Sequence, residues 1–372
     1  MHLENLKLTN FKNYADLDVD FCPNINCFVG NNGVGKTNLL DAIYYLSFCK
    51  SFFNPIDTQN IRIGQEFFAI HGRYATFDAA QNGQQATVSC IQKRNTSKQI
   101  RWNKAACKSI SEHIGRIPLV MVSPADQSII TGGSEIRRKF IDGVLSQTNT
   151  EYLKNLLTYI RILDQRNHLL KKFFDNRYFD EKEISLWDEQ LAHYGEQLLT
   201  ARKNFLNEFA PLFIYYYKMI AGDSESPSIK YAPTTDDDTP LLPQITLNHQ
   251  RDATALYTTI GPHRDDLILY IGQFNAKKFA SQGQQKTFVL SLKLAQFEYI
   301  KQLCGTAPIL LLDDIFDKLD MQRVKQLLLL VGSDHFGQVF ITDTQPGRVE
   351  AIFGEAPHLQ HLIFSVENNT LN

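Results

Sequence analysis

Gly30-Asn31-Asn32-Gly33-Val34-Gly35-Lys36-Thr37 is the stretch whose reading decides the fold. It fits the spacing G-x-x-x-x-G-K-[ST], in which glycines let the backbone wrap the phosphates of a nucleotide. The apolar run Ile25–Val29 ahead of it reads as a buried strand. Behind it, Leu39, Leu40, Ile43, Tyr44 and Leu46 recur at helical spacing through Asn38–Leu46. In that strand–loop–helix setting the free N–H groups at the helix start attract an anion. Lys36 then supplies a point charge to the phosphates, and the Thr37 hydroxyl can hold Mg²⁺. A Gly-rich turn of no function is the competing reading, and it weakens with what lies downstream.

Two later stretches complete the pattern. Ile309-Leu310-Leu311-Leu312 is an apolar strand ending in Asp313-Asp314. Asp313 is placed to complete a Mg²⁺ shell, and Asp314 to position or deprotonate an attacking water. Asp317, Leu319 and Asp320 follow on a predicted turn. Between the two acidic and Gly-rich stretches, Ser281-Gln282-Gly283-Gln284-Gln285 precedes an amphipathic helix carrying Phe288, Leu292, Ala295, Phe297 and Ile300. A small residue, a glycine and side-chain amides at a helix start make a second anion site. A last strand, Val339–Ile341, ends in Thr342-Asp343-Thr344.

Composition narrows the class. With 43% hydrophobic and 21% charged residues, the 372-residue chain builds an ordinary globular core. A net charge of −2 gives no general affinity for nucleic acid, so any DNA face must come from local clustering. The six cysteines form no C-x-x-C pair and no zinc spacing. Scattered thiols, no basic-then-apolar leader and no apolar run near the roughly 18–20 residues that span a bilayer predict a cytoplasmic protein.

The remaining segments read in order. Leu3, Leu6 and Leu8, then Leu17, Val19 and Phe21, alternate as a half-buried hairpin ahead of the Gly-rich loop. Phe67–Tyr74, Ala86–Ile91 and Gln99–Trp102 continue as antiparallel strands. Lys93, Arg94, Lys98, Arg101, Lys104 and Lys108 fall in this region, either guarding a sheet edge or meeting a DNA backbone. Leu153, Leu156, Ile160, Leu163, Leu170 and Phe174 mark one helix. Ile184, Trp187, Leu191, Tyr194, Leu198, Ala201, Phe205, Leu212 and Tyr216 mark a second. Joined near Asp175–Lys182, these predict a short antiparallel coiled-coil arm of roughly 25–35 residues per helix. Arg161, Arg166, Lys171 and Lys172 on the first helix read as a solvated face or a DNA contact. Residues 221–240 read as a loop, and His263-Arg264 as a basic turn before the Ser281 stretch.

At this point the residues carry a family resemblance. The order of phosphate loop, helical insertion, Ser281–Gln285 and Asp313-Asp314 resembles the ABC-type ATPase head of SMC proteins and DNA-repair ATPases. More narrowly, "TNFKNY" from Thr9, "GNNGVGKTNLLDAI", "SPADQ", "RRKFID", "QRNHLL", "GPHRDDL", "SQGQQKT" and "LLLDDIFDKLD" resemble the bacterial RecF family over nearly the whole chain. The resemblance implies an α/β ABC-type P-loop ATPase head built from residues 1–114 and 251–372. A helical domain bearing the arm would be inserted at 115–250. It implies ATP and Mg²⁺ as cofactors, with ATP sandwiched between two chains of a homodimer. Gly30, Asn31, Asn32, Gly33, Val34, Gly35, Lys36, Thr37 and Asn38 would hold nucleotide, with Lys36 and Asp314 catalytic. Thr37 and Asp313 would hold the metal, and Ser281–Gln285 of the facing chain would sense the γ-phosphate in trans. The implied role is an ATPase that binds DNA as an ATP-dependent dimer near single-strand gaps and helps load recombinase with a mediator such as RecR. Asp314, one methylene shorter than Glu, predicts that its hydrolysis is slow. Three positions depart from the broad pattern. Asp314 stands where most such heads have Glu, Lys12 where relatives often have Arg, and Asp343 where many have a γ-phosphate-sensing His. The runner-up function is an SMC-like structural DNA tether, which the short arm disfavours. An ABC transporter ATPase would lack this arm and need a membrane partner.

Overall fold

The structure, a computed structural model, describes residues 1–77, 83–236, 238–315, 328–333, 335–355, 359–367 and 369–371. The stretch of Asp317, Leu319 and Asp320 lies outside them. The chain divides into two compact units, Met1–Ala125 with Ile300–Asn372, and Asp126–Tyr299.

The first unit is two sheets around one helix. Five strands form a parallel sheet, extended by one antiparallel edge strand. They are β3 (Ile25–Val29), β8 (Leu119–Val122), β12 (Ile309–Leu312), β13 (Val339–Asp343), β14 (His361–Glu367) and the edge strand β15 (Thr370–Leu371), in the order β15-β14-β3-β13-β12-β8. β3, β8, β12 and β13 are buried along their whole length, as apolar runs in a parallel sheet require. The second sheet is antiparallel, from β1 (His2–Phe11), β2 (Tyr14–Asp20), β4 (Phe67–Phe77), β5 (Gly83–Lys93), β6 (Gln99–Trp102) and β7 (Ala105–Ala106). Its apolar alternation faces inward: Leu3, Leu6, Leu8, Val19, Ile70, Tyr74, Val88 and Cys90 are buried. Between the sheets runs the helix Lys36–Phe48, whose Leu39, Leu40, Ile43, Tyr45 and Leu46 share one core with both. The buried Gln338 side chain stitches strands of the two sheets, bonding the Leu3 N–H and C=O and the Cys22 C=O at 2.7–2.9 Å.

The second unit is an antiparallel helical arm on a small sheet. Its helices are Thr150–Asp175 and Glu181–Ala221, 26 and 41 residues. The second is longer than expected and continues through Pro211. At the tip, Leu169, Leu170, Phe173 and Ile184 bury one another beside Trp187. The buried face of the first helix runs through Tyr152, Tyr159, Ile162, Arg166, Leu169 and Phe173, whereas Ile160 and Phe174 of the predicted stripe are exposed. Leu153 and Leu170 of that stripe are buried as expected, and elsewhere Tyr159, Ile162 and Arg166 occupy the inner face. Residues 221–240 are not all loop: β9 (Pro227–Ala232) pairs antiparallel with β10 (Asp266–Ile271), which also pairs with β11 (Phe274–Asn275). A Pro- and Ser-rich composition masked that strand.

Strand pairing also sets the division differently from the expected 115–250 insertion. β8 lies parallel to β12 and so belongs with the first unit, moving the start to residue 126. The β9–β10 ladder holds residues 266–271 in the second unit, which extends to residue 299.

Candidate nucleotide-binding site

The Gly-rich loop leaves the carboxyl end of β3 and enters the helix at Lys36. In parallel α/β sheets ligands gather at that end of the strands. β13 lies beside β3, and β12 beside β13, so three loop ends converge there. They carry Gly30–Thr37, Asp343 and Asp313-Asp314.

Two glycines hold this loop against its surroundings. Gly30 has φ +154°, and a Cβ there would lie 2.5 Å from the Val366 carbonyl oxygen. Gly35, the N-cap of the helix, has φ +107°, and a Cβ would collide with the Asn13 amide and lie 2.9 Å from the Tyr14 hydroxyl. Asn13 accepts from the Asn38 amide (2.7 Å) and donates to Asn369, while Tyr14 donates to the Gly35 C=O (3.2 Å). The turn following β1 therefore forms the outer wall of the loop. Asn13, Tyr14 and Asn369 were not singled out from the sequence as site residues, although the first two lie in the Thr9–Tyr14 stretch.

Lys36 folds back over its own loop. Its ammonium donates to the carbonyls of Gly30 (2.7 Å) and Asn31 (2.8 Å), contacts that phosphate oxygens could replace. Burial lowers its pKa, against the raising influence of Asp314, Asp313 and Asp343. The Thr37 hydroxyl donates to Asp313 Oδ1 at 2.9 Å, across 276 residues of chain. Thr342 donates to the same oxygen (2.9 Å), and its hydroxyl accepts the Asp314 N–H (2.8 Å). Burial pushes the Asp313 carboxyl up, while the Thr342 and Thr37 hydroxyls hold it down. Such a desolvated carboxylate, hydrogen-bonded to hydroxyls of the loop threonine and Thr342, suits a hard cation with oxygen ligands. Asp314 takes a left-handed backbone, φ 46°. Thr342 is the positioning residue that the sequence reading passed over.

The departures noted in the sequence have structural counterparts. Lys12 Nζ forms an ion pair with buried Asp41 at 2.5 Å and lies 5.5 Å from the Phe53 ring centre. Asp41 also accepts from Ser51 (2.6 Å) and the Phe52 N–H (2.7 Å). Asp343 is buried and forked by Arg348, whose Nε donates to it at 2.9 Å. Beside Thr37 and Asn38 an open cavity of about 640 Å³ is lined by Lys12, Asn13, Phe53, Arg62 and Ile63. Its apolar and polar walls could take a planar base and a ribose.

Ser281–Gln285 lies in the second unit. Ser281 and Gln284 form a reciprocal capping box, the Ser281 N–H reaching Gln284 Oε1 (2.8 Å) and the Gln284 N–H the Ser281 hydroxyl (3.2 Å). The Gln284 amide donates to Glu225 (2.8 Å), and Gln285 donates to the Ala280 C=O (3.0 Å) and accepts from Gln127 (2.8 Å). The amides thus build the helix start, and the exposed surface is Ser281, Gln282 and Gly283. Several of the basic residues noted in the sequence already have partners of their own. Arg137 forks Asp266 (2.7 and 2.9 Å), and Arg138 donates to the Asp265 C=O. Arg166, expected on a solvated or DNA-facing side, is wholly buried between Asp188 and Asp252. His263 is structural, 2.6 Å from the Tyr159 hydroxyl and 3.0 Å from the Thr258 C=O. Lys98 is held by Asp57 at 2.7 Å, while Lys93, Arg94, Arg101, Lys104 and Lys108 stay exposed.

The pattern of the RecF/RecN/SMC N terminal domain family matches residues 2–356. The chain is 45% identical to the DNA replication and repair protein RecF of Flavobacterium johnsoniae, over 98% of this chain and all of that one. It is 46% identical to RecF of Phocaeicola vulgatus, covering 99% and 97% of the two chains. Among solved structures it is similar to the recombination mediator protein RecF with ATP, of the RecFOR pathway (TM-score 0.88, 28% identity, covering 100% and 97%). An Smc head bound to the C-winged helix domain of ScpA shares the fold (TM-score 0.59, 14% identity, covering 100% and 96%). The architecture is an ABC-type ATPase head with a helical arm. Among the described residues no helix is long and apolar enough to cross a membrane.

Proposed function

The chain belongs to the RecF family of DNA replication and repair proteins, and from that premise we propose that it is a slow ATPase switching DNA affinity through dimerisation. The observation that carries this reading is the Thr37–Asp313 hydrogen bond, 2.9 Å long between residues 276 apart. Phosphate loop and strand-end carboxylate meet there. Lys36 would exchange its two loop carbonyls for phosphate oxygens, and Gly30–Asn38 would cradle the phosphates. Thr37 and Asp313 would hold Mg²⁺, which neutralises phosphate charge when bound. Asp314 would orient the attacking water. Being one methylene shorter than Glu, it would do so slowly.

The exposed Ser281–Gly283 start of a helix suits a role in trans, facing the nucleotide of a second copy. ATP would then join two heads, and DNA, near single-strand gaps, would bind the joined form. A mediator such as RecR would dock on it to help load recombinase in the cytoplasm. The arm supports this over an SMC-like tether: at about 1.5 Å per residue its 26-residue helix reaches only about 40 Å.

The test is light scattering of Asp314→Asn with and without ATP·Mg²⁺ and duplex or gapped DNA. A doubling of mass with ATP, favoured by DNA and abolished by Ser281→Arg, is expected. A chain that binds ATP yet stays monomeric would remove the trans mechanism. A fast single-turnover rate in the unaltered protein would remove the slow switch.

A further inference from the structure

The long arm helix ends beside the start of the helix that follows Ser281, and one carboxylate spans the two. Gly222 closes the helix Glu181–Ala221 with φ 79°, a value that favours Gly, and its N–H bonds the Lys218 C=O at 2.8 Å. The chain then turns back, so that Glu225 meets Tyr217 of that helix. The Tyr217 hydroxyl donates to Glu225 Oε2, and the Gln284 side-chain amide donates to Glu225 Oε1 at 2.8 Å. Tyr217 is wholly buried, and its ring lies 4.9 Å from that of Phe288, which stacks on Phe213 at 5.6 Å. Phe288 belongs to the helix Gln282–Cys304. Ring packing and a shared carboxylate therefore join the end of the arm to the start of the second helix.

Glu225 decides how Gln284 is oriented. An ionised carboxylate can only accept, so the Gln284 NH₂ group faces Glu225 and Oε1 is left for the Ser281 N–H, 2.8 Å away. The Gln284 backbone N–H in turn donates to Ser281 Oγ at 3.2 Å. That hydroxyl is used here as an acceptor, so it keeps its hydrogen to donate, and Ser281 is exposed. A Gln284 amide released from Glu225 could turn its NH₂ group toward the Ser281 N–H. Two donors would then face each other, and the capping box would open.

We infer that Glu225 is a positioning residue for the contact Ser281 makes with the γ-phosphate held by a second copy, and that Tyr217 ties this position to the arm. The inference rests on the trans reading of Ser281 proposed above. Glu225 touches no nucleotide and acts through Gln284. What it delivers is a hydroxyl fixed in direction before ATP arrives, so less freedom is lost when two copies associate. Movement of the last turns of the arm helix moves Tyr217, and with it the carboxylate that orients Gln284. A symmetric dimer contains the contact twice, so a loss at each site is squared in the dimer constant.

The experiment measures the dimer dissociation constant of the full chain by sedimentation with ATP·Mg²⁺, each variant being made in an Asp314→Asn parent. Glu225→Ala should weaken each contact about tenfold and the dimer about a hundredfold. Glu225→Gln still accepts from Gln284 and can donate to the Tyr217 oxygen, so it should stay within about threefold of the parent. Tyr217→Phe keeps the ring against Phe288, loses the hydroxyl, and should weaken the dimer about tenfold. ATP affinity of dilute, monomeric protein should be the same in all of them, which general damage to the fold would not allow. Glu225→Ala dimerising as the parent does, or losing monomer ATP affinity in the same proportion, would overturn the inference. So would Glu225→Gln as weak as Glu225→Ala, and a Tyr217→Phe dimer equal to the parent's would overturn the tie to the arm. A parent that binds ATP yet never doubles in mass overturns the trans reading itself.

Discussion

Two buried polar clusters, one in each unit, use similar side chains toward different ends. In the arm unit, Arg166 bonds Asp188 (2.6 Å), Asp252 (2.7 Å) and Thr258 (2.8 Å), and His249 bonds the other Asp188 oxygen (2.6 Å). Arg202 likewise joins Asp142 (2.7 Å) to the Pro262 C=O (2.6 Å). Each carboxylate there meets an arginine, Arg166 serving both Asp188 and Asp252. In the nucleotide unit, Lys36 is parked on carbonyls and Asp313 on hydroxyls, so cation and anion share a site without pairing. A cluster whose charges are mutually satisfied holds a fold. One whose charges are kept apart by weaker neutral partners is prepared for a ligand that satisfies both. The first should answer mutation with stability and the second with affinity.

The largest effect expected is Arg166→Met, which leaves two buried carboxylates unneutralised and should cost about 3–5 kcal/mol in urea unfolding. ATP affinity of the folded fraction should not move. A cost below about 1 kcal/mol would mean that the arm cluster is not a structural lock.

Next comes acid. Burial holds His263 at about 4, against 6.5 in the unfolded chain, so the unfolded state binds more protons between those values. Stability is therefore complete above pH 6.5 and falls as pH drops toward 4, by about 3 kcal/mol. His263→Gln should flatten that part of the stability–pH curve, and a slope unchanged by the substitution would assign the acid response elsewhere.

Lys36→Met should weaken ATP about a hundredfold, or about 2.7 kcal/mol, by calorimetric titration. Unfolding without nucleotide should shift by less than about 0.5 kcal/mol, the opposite of Arg166. The smallest effect belongs to Thr342→Val. Asp313 loses one donor and Asp314 its backbone anchor, so Mg²⁺-dependent ATP affinity should fall about tenfold, roughly 1.4 kcal/mol. If Thr342→Val lowers stability rather than affinity, the contrast between the clusters fails at that residue.

Much of the nucleotide unit was legible because its signals are local. Ile25–Val29, the Gly-rich loop and the helix after it are consecutive, and Ile309–Leu312 declares both strand and acid within six residues. The arm was legible from periodicity, but its charges were not. Arg166 looks like any solvated arginine until Asp252, 86 residues away, is folded against it. The wall made by Asn13, Tyr14 and Asn369 joins residues up to 356 apart. Thr342 acquires meaning only where β13 lies between β3 and β12.

The sequence by itself determined the phosphate loop, the acidic strand end, the helical arm and the family, because each is written in short-range spacing of residue types. Tertiary structure alone decided which charges pair with each other and which stay apart. It also decided where the units divide. The physical reason is that desolvation and hydrogen-bond satisfaction depend on what surrounds a group in space, and no local pattern encodes that surrounding.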